Sequence, residues 1–129
     1  MKNIFNTKKY NILHNGKFEI DGGKQVKNNI TEFIKLGKIP NDSDMTNDLF
    51  KQYDLLLQNE EPLTFDEAEL IISMFSDDCD DLNWALLHAI ESVDFYDIER
   101  YKKLISKCNN IEFREILEIR LNNFLNKKN

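Results

Sequence analysis

Leu63-Thr64-Phe65-Asp66-Glu67-Ala68-Glu69-Leu70-Ile71-Ile72, then Asp77-Asp78-Cys79-Asp80-Asp81, then Leu82-Asn83-Trp84-Ala85-Leu86-Leu87-His88-Ala89-Ile90-Glu91 reads as helix, turn, helix. Thr64 and Glu67 stand three apart at the start of an apolar run. That is a capping box, in which the Thr hydroxyl takes the Glu amide and the Glu side chain reaches back. Leu63 and Ala68 occupy the hydrophobic-staple positions. Ala68, Ile71, Ile72 and Phe75 recur at helical spacing, which predicts a helix to about Ser76. The four aspartates of residues 77–81 form an acidic connector, with Asp80 or Asp81 able to cap the next helix. That helix is predicted from Leu82 to about Val93. Leu82, Ala85, Leu86, Ala89, Ile90 and Val93 share one face, and Trp84, Leu87 and His88 widen it. A face that broad predicts a central helix covered on two sides, with Trp84 in the core.

Outward from this unit the period stays helical. On the N-terminal side, Val26, Ile30, Phe33 and Ile34 mark a helix starting after Gly23, with Gly37 and Pro40 as its stop. A second helix is predicted over about Ser43–Asn59, with Met45, Leu49, Tyr53, Leu56 and Leu57 as its stripe. On the C-terminal side, Asp94 is read as the cap of a helix carrying Ile98, Tyr101, Leu104, Ile105 and Cys108. Asn109-Asn110 makes a turn, and a last helix carries Phe113, Ile116, Leu117, Leu121, Phe124 and Leu125. Only the start departs from this period. Tyr10–His14 and Lys17–Ile20 flank Asn15-Gly16, the signature of a two-residue hairpin turn. The expectation is a mainly α fold: antiparallel helical hairpins packed as a short α-solenoid-like or bundle domain, with an N-terminal β-hairpin. Residues 1–129 are read as one domain: hairpin arm 1–22, helical body 23–126 and frayed tail 127–129.

The chain has 129 residues, 41% hydrophobic and 31% charged. Those proportions suit a globular protein and exclude a wholly disordered or collagen-like one. No stretch approaches the roughly 18 apolar residues of a membrane helix. Residues 1–6 have no apolar run long enough for a signal peptide. Cys79 and Cys108 are the only cysteines, too few for a disulfide scaffold or a Cys-rich zinc site. The expectation is a reduced, cytoplasmic protein without a membrane partner.

The net charge of −6 conceals a pattern. Residues 1–40 carry 8 Lys/Arg against 3 Asp/Glu, residues 41–99 carry 1 against 17, and residues 100–129 carry 8 against 3. The acidic centre can be a solvated face paired with the basic ends, or a surface that attracts a cationic partner. The acidic centre argues against general binding to nucleic acid phosphates; a local basic patch at either end stays open, against the net field.

Sites for chemistry are scarce. The 77–81 run lacks the alternating ligands, central Gly and closing Glu of a calcium loop, so capping and docking are the competing readings. His88 and Glu91 stand three apart, but His14 is the only other histidine and no third ligand is evident. A partly buried His88–Glu91 hydrogen bond beside a core Trp84 is the plainer expectation, and a small hydrolase built on this pair the weaker one. No phosphate loop, HExxH or nucleophile elbow is present. Carboxylates around Cys79 disfavour a reactive thiolate, and Cys108 reads as a small core residue. Catalytic residues, metal and cofactor are all expected to be absent.

The run Leu63-Thr64-Phe65-Asp66-Glu67-Ala68, the acidic Asp77-Asp78, and Trp84-Ala85-Leu86-Leu87-His88-Ala89-Ile90-Glu91-Ser92 together resemble small helical immunity proteins of bacterial polymorphic toxin and contact-dependent growth inhibition systems. The pattern is similar to the group called immunity protein 30, and Arg120-Leu121-Asn122-Asn123 matches its helix end. The resemblance covers about residues 63–123. It implies a non-enzymatic inhibitor of a cognate toxin, with a nuclease bearing a basic surface as the expected partner. The acidic centre suits that partner. Its interface is expected at Asp77, Asp78, Asp80 and Asp81, with Glu60, Glu61, Asp94 and Asp97. Tight binding also needs a desolvated aromatic anchor, for which Tyr53, Phe95 and Tyr96 are the candidates. The alternative is a helical scaffold or adaptor for a host protein or peptide, without toxin neutralisation.

Overall fold

The computed structural model describes residues 10–12, 18–20, 24–58, 61–94 and 96–127. Three short strands, β1 (Tyr10–Ile12), β2 (Phe18–Ile20) and β3 (Lys24–Gln25), pair antiparallel in that order. Tyr10 lies opposite Ile20 and Ile12 opposite Phe18. The expected two-residue turn at Asn15-Gly16 would set Ile12 opposite Glu19, so the strands pair one residue away from that register; the turn itself falls outside the described residues. β3 takes residues that the periodicity assigned to the start of the first helix.

Six α-helices follow among the described residues: α1 (Asn28–Leu36), α2 (Asn47–Leu57), α3 (Phe65–Ile71), α4 (Asp80–Glu91), α5 (Ile98–Ser106) and α6 (Ile111–Lys127). The fold is mainly α. α1 packs on α2 and α5 on α6. Between those pairs α1 meets α3 and α3 meets α5, while α2 meets α4 and α4 meets α6. The odd helices thus form one layer and the even helices a second, the arrangement of a short α-solenoid.

One core cluster runs between the layers. Phe33, Tyr53, Phe75 and Phe113 are its largest rings, with Ile30, Ile39, Ile71, Ile72, Leu82, Leu86 and Leu87 fully enclosed. Each such side chain contributes about 1.5–3 kcal/mol by leaving water. None of the described helices is long and apolar enough to cross a membrane.

Helix ends follow local chemistry. The Thr64–Glu67 capping box is formed, at 3.1 and 3.0 Å. Thr46 caps α2, whose start is preceded by a separate 3-10 turn at Asp42–Asp44, so the helix predicted from Ser43 is shorter. Asp97, not Asp94, caps α5, accepting from the Arg100 amide at 3.0 Å. α4 begins at Asp80 with Cys79 as its N-cap and no side-chain cap bond. Asp80 and Asp81 therefore lie in its first turn, where they favour the helix dipole without capping it. α3 ends at Ile71, earlier than predicted, because residues 74–79 are held in a loop by side chains from elsewhere.

Candidate partner-binding site

The loop between α3 and α4 is fastened from three sides. Asn83 on α4 is fully buried; its Oδ1 accepts from the Ser76 amide at 2.8 Å and its Nδ2 donates to the Ser76 carbonyl at 3.0 Å. Asn109 does the same for Phe75, accepting at 3.0 Å and donating at 2.8 Å. The Asn110 Nδ2 donates a second hydrogen bond to the Ser76 carbonyl, at 2.9 Å. The Ser76 hydroxyl accepts from the amides of Asp78 and Cys79 and donates to the Pro40 carbonyl at 2.8 Å. From the other side, Ile39 donates to the Met74 carbonyl. Buried loop backbone is satisfied here by asparagine side chains in place of a helix or sheet ladder.

The rigid loop holds the acidic run at the surface. Asp77 is 70% exposed and meets Lys38 at 3.2 Å. The Asp78 carboxylate accepts from the Asp42 amide at 2.8 Å, which docks the Asp42–Asp44 turn against the loop. Asp80 and Asp81 face solvent, and among the described residues neither has a salt bridge. Asp42 and Asp44 thereby join the acidic surface, beyond the residues expected there from the sequence. The one available signal was an acidic run, Asn41-Asp42-Ser43-Asp44, directly after the Gly37–Pro40 break.

Other acids of residues 41–99 are matched internally by cations from the basic ends. Glu67 takes Lys27, Asp66 and Glu69 share Arg100, Glu69 also takes Lys107, and Glu91 takes Arg120. Internal pairing thus accounts for the acids of α3 and the end of α4; among the described residues it does not reach Asp80 and Asp81 at the start of α4.

The remaining candidates separate. Glu61 and Asp94 are exposed, and Asp97 is exposed but engaged as a cap. Tyr96 is 77% exposed, with its ring edge-on to Phe65 at 5.8 Å. Glu60 and Phe95 lie outside the described residues. Tyr53 cannot serve as an anchor: it is 1% exposed, and its hydroxyl donates among the carbonyls of Leu36, Gly37 and Lys38, closest to Gly37 at 2.9 Å. It plugs the end of α1 instead. Gly37 makes that end possible, because its φ of 91° lies in the region open to glycine.

Trp84 corrects the sequence reading in the opposite sense. It is 39% exposed, edge-on to Phe113 at 5.3 Å, with His88 at 6.1 Å. The inner arc of α4 belongs to Leu82, Asn83, Leu86, Leu87, Ala89 and Ile90, which turns Trp84 and His88 outward. The expected His88–Glu91 hydrogen bond is replaced by a two-pronged bond from Arg120 to Glu91, at 2.6 and 2.8 Å.

Cys79 is buried, and burial, followed by the Asp42 and Asp81 carboxylates, pushes its thiol up. Burial also pushes the Cys108 thiol up. Neither has thiolate character. No three His, Cys, Asp or Glu side chains among the described residues are placed to hold a metal ion together. Shallow grooves of about 350 Å³ between α1 and α2 and about 540 Å³ between α5 and α6 contain none of the candidate residues. In comparisons with protein-family models, curated proteins and solved structures, nothing matches the chain.

Proposed function

We propose that this chain is a cytoplasmic immunity protein: a non-enzymatic inhibitor that binds a cognate toxin, a nuclease with a basic surface, through its acidic α3–α4 edge. The observation that carries the reading is the unmatched charge at the start of α4. Asp80 and Asp81 face solvent with no cation partner among the described residues, on a helix start fixed by Asn83, while neighbouring acids on α3 and α4 are neutralised from within. A field of one sign on a rigid edge speeds encounter with a basic partner and excludes acidic ones. The resemblance of residues 63–123 to immunity proteins supplies the biological role.

Affinity needs more than that field. A nanomolar Kd corresponds to about −12 kcal/mol, and exposed ion pairs give about 0–1 kcal/mol each. The charges therefore steer, and desolvated contacts beside them hold.

Co-expression tests the proposal. The C-terminal domain of the open reading frame immediately upstream is induced in a bacterial host with and without this chain. Rescue of growth, with a complex that co-purifies, is the expected result. An absence of toxicity, or toxicity without rescue, rejects the immunity reading in favour of a helical scaffold for another partner.

A further inference from the structure

We infer that the solvent-facing ridge of α4 centred on Trp84 is a receptor for an arginine side chain of a basic partner protein, with the guanidinium lying on the indole and pairing with Asp80 and Asp81. This deepens the inhibitor reading and rests on it for the identity of the partner. The chemistry of the ridge stands by itself.

Asp80, Trp84 and His88 stand at i, i+4 and i+8 of one helix, and Asp81 flanks them. At 3.6 residues per turn these four fall within an arc of about 100°. Residues four apart on a helix have Cβ atoms roughly 5–6 Å apart, within reach of one guanidinium. The opposite arc is the one buried in the core. Phe113 lies edge-on to the indole and His88 lies beside it, and Trp84 keeps 39% of its surface exposed. An aromatic ring already held in place loses little freedom when a partner covers it.

The molecule contains a filled version of the same arrangement. On α3, Phe65, Asp66 and Glu69 receive Arg100. Its guanidinium carbon lies 4.7 Å from the centre of the Phe65 ring, and one of its nitrogens meets both carboxylates at 2.9 Å. On α4, an aromatic ring and two carboxylates are again neighbours, and among the described residues no cation occupies them. Indole is a better cation acceptor than a phenyl ring. The helix dipole accounts for acids in the first turn, but not for a half-exposed tryptophan one turn further along. Charge complementarity selects a cation, and the flat, weakly hydrated guanidinium stacks better than an ammonium.

Trp84 is the only tryptophan, so its emission reports the ridge directly. The full chain is titrated with a tetra-arginine peptide, with tetra-lysine and an uncharged apolar peptide as comparators. The expected result is a saturable change in Trp84 emission with arginine, at least threefold weaker binding of lysine, and none of the apolar peptide. Asp80→Asn with Asp81→Asn is expected to weaken arginine binding about tenfold and flatten its salt dependence. Trp84→Leu, followed by calorimetry, is expected to weaken it about as much with thermal unfolding still cooperative.

No change with arginine, or an equal change in the Asp80→Asn/Asp81→Asn variant, overturns the inference. So does equal or tighter binding of the apolar peptide. An emission shift that depends on protein concentration alone also overturns it, by giving the ridge to a second copy of the chain. Growth rescue separates the two proposals. Rescue by a chain that ignores arginine sinks only the arginine receptor; arginine binding without rescue sinks only the immunity role.

Discussion

Asn83 on α4 forms a closed pair of hydrogen bonds with the backbone of Ser76, accepting from its amide at 2.8 Å and donating to its carbonyl at 3.0 Å. Both groups are fully buried. Replacing Asn83 by Ala leaves a buried N–H without its partner, takes one bond from the Ser76 carbonyl and opens a small cavity. Each stranded buried polar group costs about 1–3 kcal/mol. Asn83→Ala is therefore expected to destabilise the fold by about 2–4 kcal/mol, measured by urea unfolding. Amide exchange at Ser76 should rise by a larger factor than exchange in α6. A loss below about 0.5 kcal/mol, the range of surface substitutions, would show that the pair does not hold the loop.

That pair also marks the limit of what the sequence discloses. The Thr64–Glu67 box was legible because its two partners are three residues apart and their chemistry is local. The apolar stripes were legible for the same reason. Asn83 was not, because its partner is the backbone of a loop, and no periodicity encodes a side chain that replaces a ladder. Placing a polar residue on the inner arc of α4 turned Trp84 outward, so the error about Trp84 and the silence about Asn83 are one error. Tyr53 received two incompatible readings, inner stripe and exposed anchor. The stripe prevailed because its hydroxyl finds the carbonyls at the end of α1, sixteen residues back for Gly37. Asp42 and Asp44 joined the acidic surface through one long-range bond to Asp78 that spacing cannot show.

Glu67 ties the entry of α1 to α3. Burial alone would raise its pKa, but hydrogen bonds from the Lys27 side chain, the Thr64 amide and the Lys27 amide, with the Lys27 charge, bring it below the ordinary 4.5. A carboxylate lowered in the folded state contributes stability above its unfolded value and loses it as pH falls through the folded one. Stability should accordingly decline with acidification below pH 4.5, and Glu67→Gln should remove part of that slope. Gln still completes a capping box, so the expected loss at neutral pH is about 1–2 kcal/mol. Parallel melts at neutral and acid pH test this; equal differences between the two proteins at both would contradict it.

Tyr53 predicts the alkaline limb. Burial pushes its hydroxyl from 10.0 up to about 12. Between those values the unfolded chain releases the proton and the folded one retains it, so stability is complete below the unfolded value and falls as pH rises through the window. Tyr53→Phe should flatten that part of the fall. At neutral pH it should cost about 1 kcal/mol for the lost bond to the Gly37 carbonyl. Burial raises Tyr101 in the same direction, so a residual slope is expected in the variant, and an unchanged slope would remove Tyr53 from the account.

Arg100 makes the last prediction, because it can be removed and supplied again. Its guanidinium spans Asp66 and Glu69 and lies on Phe65. The site is about a third exposed, so screening limits what the pairs contribute. Arg100→Ala should lower stability by about 1 kcal/mol. Arg100→Lys should restore only part of that, since an ammonium keeps the charge but neither the planar stack nor the paired geometry. The alanine variant also leaves α3 with an aromatic ring and two carboxylates that have lost their guanidinium. Millimolar ethylguanidinium should then raise its melting temperature more than that of the parent chain, and ethylammonium should do so less. If neither cation distinguishes variant from parent, the contacts of Arg100 are geometric neighbours without energetic consequence.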